Sequence, residues 1–190
     1  MARPREFDED EVLIRAMVAF WQRGYEGCSI RDLLEATGLP RQSLYNTFGD
    51  KRALFLRVLA RYRERVEEDL APLKGPASGL GDLRRYMLEA LGVQAELGGG
   101  ACLLVVTAFG PASADPEVQA AVDAGAASVR RAFATLLKRL RDDEVLPYAL
   151  EPKAGADYLY AVLNGLSALQ RTGGGPRRVR SALDAALRSL

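Results

Sequence analysis

The sequence predicts an all-α fold of about nine helices. Three observations predict it. Apolar residues recur at helical spacing in every long segment, helix-starting and helix-stopping residues punctuate those segments, and no stretch shows the strict alternation of a half-buried strand. There is no internal repeat at a fixed period.

The elements follow in order. Asp8 stands as an N-cap with Glu11 three residues on to close a capping box, and Phe7 is placed to staple onto Val12. From there Leu13, Ala16, Met17 and Phe20 form one face, until Gly24 supplies a left-handed residue to end the helix. Ser29 and Asp32 repeat the capping pattern for a short helix to Ala36, and Thr37-Gly38-Leu39 turns the chain into another short helix from Pro40 to about Thr47. A longer helix opens at Asp50, its stripe of Leu54, Val58, Tyr62 and Val66 sustained to Leu70. Pro72, Gly75, Pro76 and Gly79 mark a boundary, which gives a division into residues 1–49, a connecting helix 50–71, and a domain 80–190. Beyond it lie a helix from Gly81 to Leu97, a break at Gly98-Gly99-Gly100, and a short buried helix from Ala101 to Phe109. Asp115-Pro116 opens a long helix to about Arg141. Lys153 to Arg171 forms the next, and Gly173-Gly174-Gly175-Pro176 separates it from a last helix ending at Leu190.

Composition removes whole classes of chemistry. The 190 residues hold no histidine and only two cysteines, Cys28 and Cys102, so neither a His-based triad nor a zinc cluster can be assembled from this chain alone. Gly98-Gly99-Gly100 lacks the preceding strand and the Gly-Lys-Ser/Thr pattern of a phosphate-binding loop. No reaction centre is predicted, and no cofactor or metal. Two distant cysteines, no signal-peptide pattern and no apolar run long enough for a bilayer predict a cytoplasmic protein with no membrane partner. With 26 basic against 25 acidic residues, any contact with nucleic acid must come from a local basic face.

Two short helices joined by a glycine turn are what a helix-turn-helix needs, since the second must enter the roughly 12 Å major groove at a fixed angle. The run Gly24-Tyr25-Glu26-Gly27-Cys28-Ser29-Ile30-Arg31-Asp32-Leu33, then Thr37-Gly38-Leu39, then Ser43-Leu44-Tyr45-Asn46-Thr47-Phe48-Gly49-Asp50-Lys51 is more specific. It resembles the N-terminal domain of the TetR family of bacterial regulators, in unbroken register across roughly Phe7 to Tyr62. The resemblance implies a three-helix DNA-binding domain joined by a fourth helix to an all-α ligand-binding and dimerisation domain. It also implies a homodimer on a palindromic operator in double-stranded DNA, released by a small-molecule effector. The two reading helices would sit roughly 34 to 36 Å apart, one turn of DNA.

Arg41, Gln42 and Ser43 lie at the start of the reading helix and are expected at base edges, where Arg and Gln pair with purines in bidentate fashion. Tyr45, Asn46 and Lys51 are expected at phosphates, Lys51 at a helix N-terminus whose free amides add to its charge. Ser29 reads either as a phosphate donor or as a plain cap, and Arg3 and Arg5 either as a minor-groove arm or as a solvated tail. Leu44 and Phe48 are expected in the core. Pro40 departs from the family's usual Ser or Thr and removes a cap.

In the C-terminal part, Leu159, Val162, Leu166 and Leu169, beside the small residues Gly155, Ala161, Gly165 and Ala168, and then Val179, Leu183 and Leu187, form stripes suited to a dimer bundle of the last two helices or to burial within one subunit. Met87, Leu91, Leu103, Val106, Phe109, Phe133 and Leu137 offer either an apolar ligand lining or ordinary core, and an apolar or aromatic effector is the default. Cys102 reads as a thiol in a first helical turn, where the dipole favours thiolate, or as a small buried hydrophobe. Two functional alternatives accompany the regulator: a thiol or electrophile sensor acting through Cys102 on the same scaffold, and a helical protein-interaction adaptor without DNA binding.

Overall fold

Helix α1 (Glu9–Gly27) begins because the Asp8 carboxylate accepts hydrogen bonds from the backbone N–H groups of Asp10 at 2.8 Å and Glu11 at 3.5 Å, satisfying donors that a helix start leaves unpaired. The computed structural model describes residues 7–96 and 102–190, so Arg3, Arg5, the Gly98-Gly99-Gly100 break and Ala101 lie outside the described residues. Two details of the first helix differ from expectation. Glu11 pairs with Arg15 one turn on and does not close a capping box. Gly24 does take positive φ, but at φ 71°, ψ 164° it bends the helix and lets one more turn form before Cys28.

Helix α2 (Ile30–Thr37) carries the full capping box: the Asp32 N–H donates to Ser29 Oγ at 3.2 Å, and the Ser29 N–H donates to Asp32 Oδ2 at 2.8 Å. Gly38, at φ 71°, ψ 8°, turns the chain out of α2 in the left-handed region that a side chain resists. Helix α3 (Arg41–Phe48) then opens on Pro40 with no side-chain cap, and α4 (Lys51–Leu70) opens on Asp50, which accepts from the Ala53 N–H at 2.7 Å. A 3-10 turn over Ala71–Lys74 leads to α5 (Leu80–Glu96). Helix α6 (Leu103–Ala108) is followed by a second 3-10 turn, Pro111–Ala114, and then by α7 (Pro116–Asp142), α8 (Pro152–Arg171) and α9 (Pro176–Arg188). Nine α-helices and no strand are found among the described residues.

The apolar residues gather into two cores. The first joins Phe20, Leu33, Leu44, Leu54, Phe55 and Leu59 of the first four helices to Leu103 and Leu104 of α6 and to Val118 and Val122 of α7. The second holds Leu70, Leu73, Leu83, Met87 and Leu91 against Phe133, Leu136, Leu137, Leu159 and Leu183. Helices α4 and α7 pass through both, so the apolar division falls inside these two helices and not at the proline and glycine segment 72–79. That segment is itself tied down, because the Arg139 guanidinium donates to the carbonyls of Gly75 and Ser78 and to Ser78 Oγ.

Helix α6 corrects one expectation. Its six residues turn Leu103, Leu104 and Thr107 inward, and Phe109, falling past the last turn just before Gly110-Pro111, is 89% exposed. The approach of α6 to α7 is close: a Cβ on Gly125 would lie 2.2 Å from Leu104 Cδ1. Gly125→Ala should therefore cost about 1–3 kcal/mol through overpacking, read by urea denaturation, with Leu104→Ala in the same chain recovering part of the loss. An unchanged midpoint would show that Leu104 moves aside without strain.

Candidate nucleic-acid interface and ligand cavity

Leu44 and Phe48 hold α3 to the first core, at 0% and 3% exposure, and this fixes which face the helix shows to solvent. Arg41, Gln42 and Asn46 are exposed, and Ser43 and Tyr45 are half-buried. Within that face the Arg41 guanidinium lies 5.6 Å from the Tyr45 ring centre, and Gln42 Nε2 donates to Asn46 Oδ1 at 3.0 Å. Both long side chains are thereby steadied on one side of the helix while keeping donors available to a partner.

Several other arginines in and beside the head are engaged internally. Arg57 bonds Glu9 at 2.7 Å and the Thr47 carbonyl at 3.3 Å, Arg61 pairs with Asp10, and Arg23 bonds Asp32 at 2.6 Å. Among the described residues no carboxylate pairs with Arg41 or with Lys51, whose ammonium stands 4.4 Å from the Tyr25 ring centre at the start of α4. Ser29 is differently placed: its hydroxyl donates to Asp32 Oδ2 at 2.6 Å while accepting from the Asp32 N–H, and that bond holds the Asp32 carboxyl below the usual range. The hydroxyl proton is committed to the cap.

One contact had no signal in the sequence. Arg52, next to Lys51, bonds Asp115 Oδ1 at 2.9 Å and Glu117 Oε1 at 3.0 Å, joining the start of α4 to the start of α7 across 63 residues of chain. Only the role of Asp115 as a helix cap was legible.

A cavity of about 50 Å³ lies in the seam between the two cores, walled by Trp21 and Tyr62 from one side, Tyr86 and Leu163 from the other, and Leu104 and Gly125 between. Of the residues expected to line a ligand site, Cys102 is on this wall. Met87, Leu91, Phe133 and Leu137 are fully enclosed in the second core, and Leu103 and Val106 border a separate cleft of about 200 Å³ beside Phe20, Gly24 and Phe55. Phe109 points away from both. Apolar spacing finds the inward side of a helix but does not tell a packed neighbour from a void. The signal that would have found the wall is its polar tips, Tyr62 in the middle of the α4 stripe, Tyr160 and Asn164 in α8.

Cys102 caps α6 and does not sit in its first turn. The Tyr62 hydroxyl donates to its sulfur at 3.3 Å, yet burial pushes the thiol up, outweighing that bond, so of the two readings of Cys102 this environment favours the protonated thiol over the thiolate.

The stripes expected at a dimer interface divide. Leu159, Leu166, Val179 and Leu183 are buried in their own chain, and Val162, Leu169 and Leu187 are half-buried. The uncharged side that α8 leaves exposed is instead Ala154, Tyr158, Ala161, Gly165 and Ala168, spaced three to four residues apart.

A short helix set after a glycine turn and held to the core by Leu44 and Phe48, with the exposed Arg41 at its start, defines a helix-turn-helix DNA-binding protein. A model of the bacterial regulatory proteins of the tetR family matches residues 12–58. The HTH-type transcriptional regulator YezE of Bacillus subtilis, itself uncharacterised, is 34% identical over 144 residues, covering 75% of this chain and 74% of YezE. The repressor NemR of Escherichia coli is 28% identical over 149 residues, covering 76% of this chain and 74% of NemR. Among solved structures, a cysteine mutant of the TetR family regulator CifR in complex with 26-bp operator DNA is 32% identical, covers 98% of both chains, and superposes with a TM-score of 0.83. The chain belongs to the TetR family and is a DNA-binding transcriptional regulator.

With its thiol pushed above the ordinary value of about 8.5, Cys102 should react slowly with iodoacetamide at pH 7 and accelerate as pH rises past that value. Mass spectrometry of the intact chain follows the rate, and reaction at pH 7 as fast as free cysteine would refute the assignment.

Proposed function

We propose that this regulator is a homodimeric cytoplasmic repressor that reads a palindromic operator with α3 and is released by a small, largely apolar or aromatic molecule. The observation that carries the reading is the exposed pair Arg41 and Gln42, Arg41 bonded to no carboxylate among the described residues, at the start of a helix whose opposite face is locked by Leu44 and Phe48. Arg41, Gln42 and Ser43 take the base edges, Tyr45, Asn46 and Lys51 the phosphates, and Ser29 keeps its role as a cap. In this division of labour residues up to 49 form the reading head, α4 the connector, and the chain from residue 80 the sensing and pairing part.

The effector site is the seam cavity. At about 50 Å³ it has room for a few waters and is far below the several hundred Å³ of a typical ligand pocket, so an effector must part the walls to enter. Because those walls belong to two different cores, parting them moves α4 against α7 and so shifts the reading helix. The hydroxyls of Tyr86 and Tyr160 and the amide of Asn164 suit a molecule with one or two hydrogen-bonding groups, while the charges of Arg65 and Asp69 on the same wall offset each other at 4.0 Å. A ligand reading is favoured over a thiol-reactive one because burial keeps Cys102 protonated. Pairing through the exposed α8 face of Ala161, Gly165 and Ala168 allows two copies to approach closely.

Selection of duplexes from a random pool, followed by mobility-shift titration over a range of salt, tests the contacts. Arg41→Ala should relax discrimination at a base pair by about 1–3 kcal/mol, whereas Lys51→Ala should weaken all duplexes alike and lower the salt slope by about one per subunit. Equal effects of the two on every duplex would remove α3 from base reading. Gly165→Glu should yield a monomer by light scattering and abolish tight operator binding; a dimer of unchanged mass would place the interface elsewhere.

A further inference from the structure

Helices α4 and α7 are held together along their length mainly by apolar contacts, which are non-directional and fix neither register nor angle closely. At one end the contact is of another kind. The Arg52 guanidinium grips Asp115 through two nitrogens, Nε to Oδ2 and Nη2 to Oδ1 at 2.9 Å, and reaches Glu117 Oε1 at 3.0 Å. A two-pronged bond of this sort has a set direction as well as a set distance. The same Asp115 carboxylate caps α7, accepting from the Glu117 N–H at 2.9 Å and the Val118 N–H at 3.5 Å. One carboxylate therefore ends α7 and holds the first turn of α4, and Arg52 beside it holds the carboxyl at about 2, ionised at any pH at which the protein works. Gly49 and Asp50 alone separate α3 from α4, so whatever orients the first turn of α4 orients the reading helix.

We infer that Arg52 is a positioning residue for operator reading: gripped by Asp115 and Glu117, it sets the angle at which α3 is presented relative to α7. This rests on the assignment of α3 as the reading helix. The ion pairs are open to water, with 43% of the Arg52 side chain and 68% of Glu117 exposed, so they add little to the stability of the fold. What they supply is geometry. Farther along the same helix, Gly125 of α7 forms part of the seam cavity wall, so a displacement of α7 there is carried to Asp115 and through Arg52 to the head.

A rival role for Arg52 is direct phosphate contact, as for its neighbour Lys51, and the two roles predict opposite signs. The probe is a duplex selected from a random pool by the unaltered protein, with a scrambled duplex for comparison. Arg52→Gln, Asp115→Asn and Glu117→Gln are titrated singly, and Arg52→Gln with Asp115→Asn together. Asparagine caps a helix as well as aspartate, so Asp115→Asn weakens the grip without uncapping α7. If Arg52 positions the head, Arg52→Gln and Asp115→Asn each weaken binding to the selected duplex about threefold to tenfold, the scale of one or two partly exposed ion pairs. The double variant is then no weaker than the weaker single, and affinity for the scrambled duplex is unchanged by Asp115→Asn. If Asp115→Asn and Glu117→Gln bind as tightly as the unaltered protein or more tightly while Arg52→Gln binds less, Arg52 is a phosphate ligand that the carboxylates only restrain, and the inference is overturned. Stoichiometric titration well above the dissociation constant gives the active fraction of each variant, and Glu117→Gln, outside the cap, serves should Asp115→Asn fold poorly. Failure of the unaltered chain to select any duplex sinks the reading-helix assignment first, and this inference with it.

Discussion

Everything in this molecule depends on α4 and α7 belonging to two apolar cores at once. Residues near the start of each, Leu54 and Phe55 in α4, Val118 and Val122 in α7, are packed into the core that backs the reading helix. Residues farther along, Leu70 in α4 and Val129, Phe133 and Leu137 in α7, are packed into the core of the C-terminal helices. Each fully buried Leu or Phe contributes about 1.5–3 kcal/mol, so neither end of either helix can leave its core cheaply. Packing is incomplete at the seam between the cores, and a cavity lies there.

The electrostatics of the head follow the same economy of means. A chain with net charge +1 has no general attraction for a polyanion, and most of its arginines near α3 are tied to carboxylates of their own chain. Arg41 and Lys51 stand apart, resting on aromatic rings that leave their charge intact. Local placement thus does what bulk charge does not, and it concentrates the positive field at the start of α3 and the start of α4.

How much of this could be read from residues alone depends on whether the responsible signal is local. The capping box of Ser29 and Asp32, the left-handed Gly38, the cap at Asp50 and the Asp115-Pro116 opening are each a few residues wide, and each structural element they announce is present within a residue or two. The family resemblance over Phe7 to Tyr62 carried the regulator assignment for the same reason. Non-local facts escaped. Nothing in spacing distinguishes Met87, buried against neighbours, from Tyr86 beside it on the cavity wall. Nothing in the run from Leu103 to Phe109 says that the helix stops at Ala108 and sends the phenyl ring outward. The bond from Arg52 to Asp115 joins positions that have no sequence relation at all. The apolar stripes of α8 and α9 were visible, but which side each helix keeps for its own core, as with Leu159 and Leu183, is settled only by packing.

The placement of Leu103, Leu104, Val118 and Val122 in the head's own core also bears on modularity. Cutting the chain at the proline and glycine segment and transplanting its first seventy residues onto another sensor would carry away a head with an unfilled hollow on one flank. A working chimera needs the donor's α6 and the opening turns of α7 to travel with the head, or matching side chains from the recipient to refill the gap. Recognition and sensing are thus inherited together in this chain, because the surface that would have to separate them is covered on both sides by the same greasy contacts.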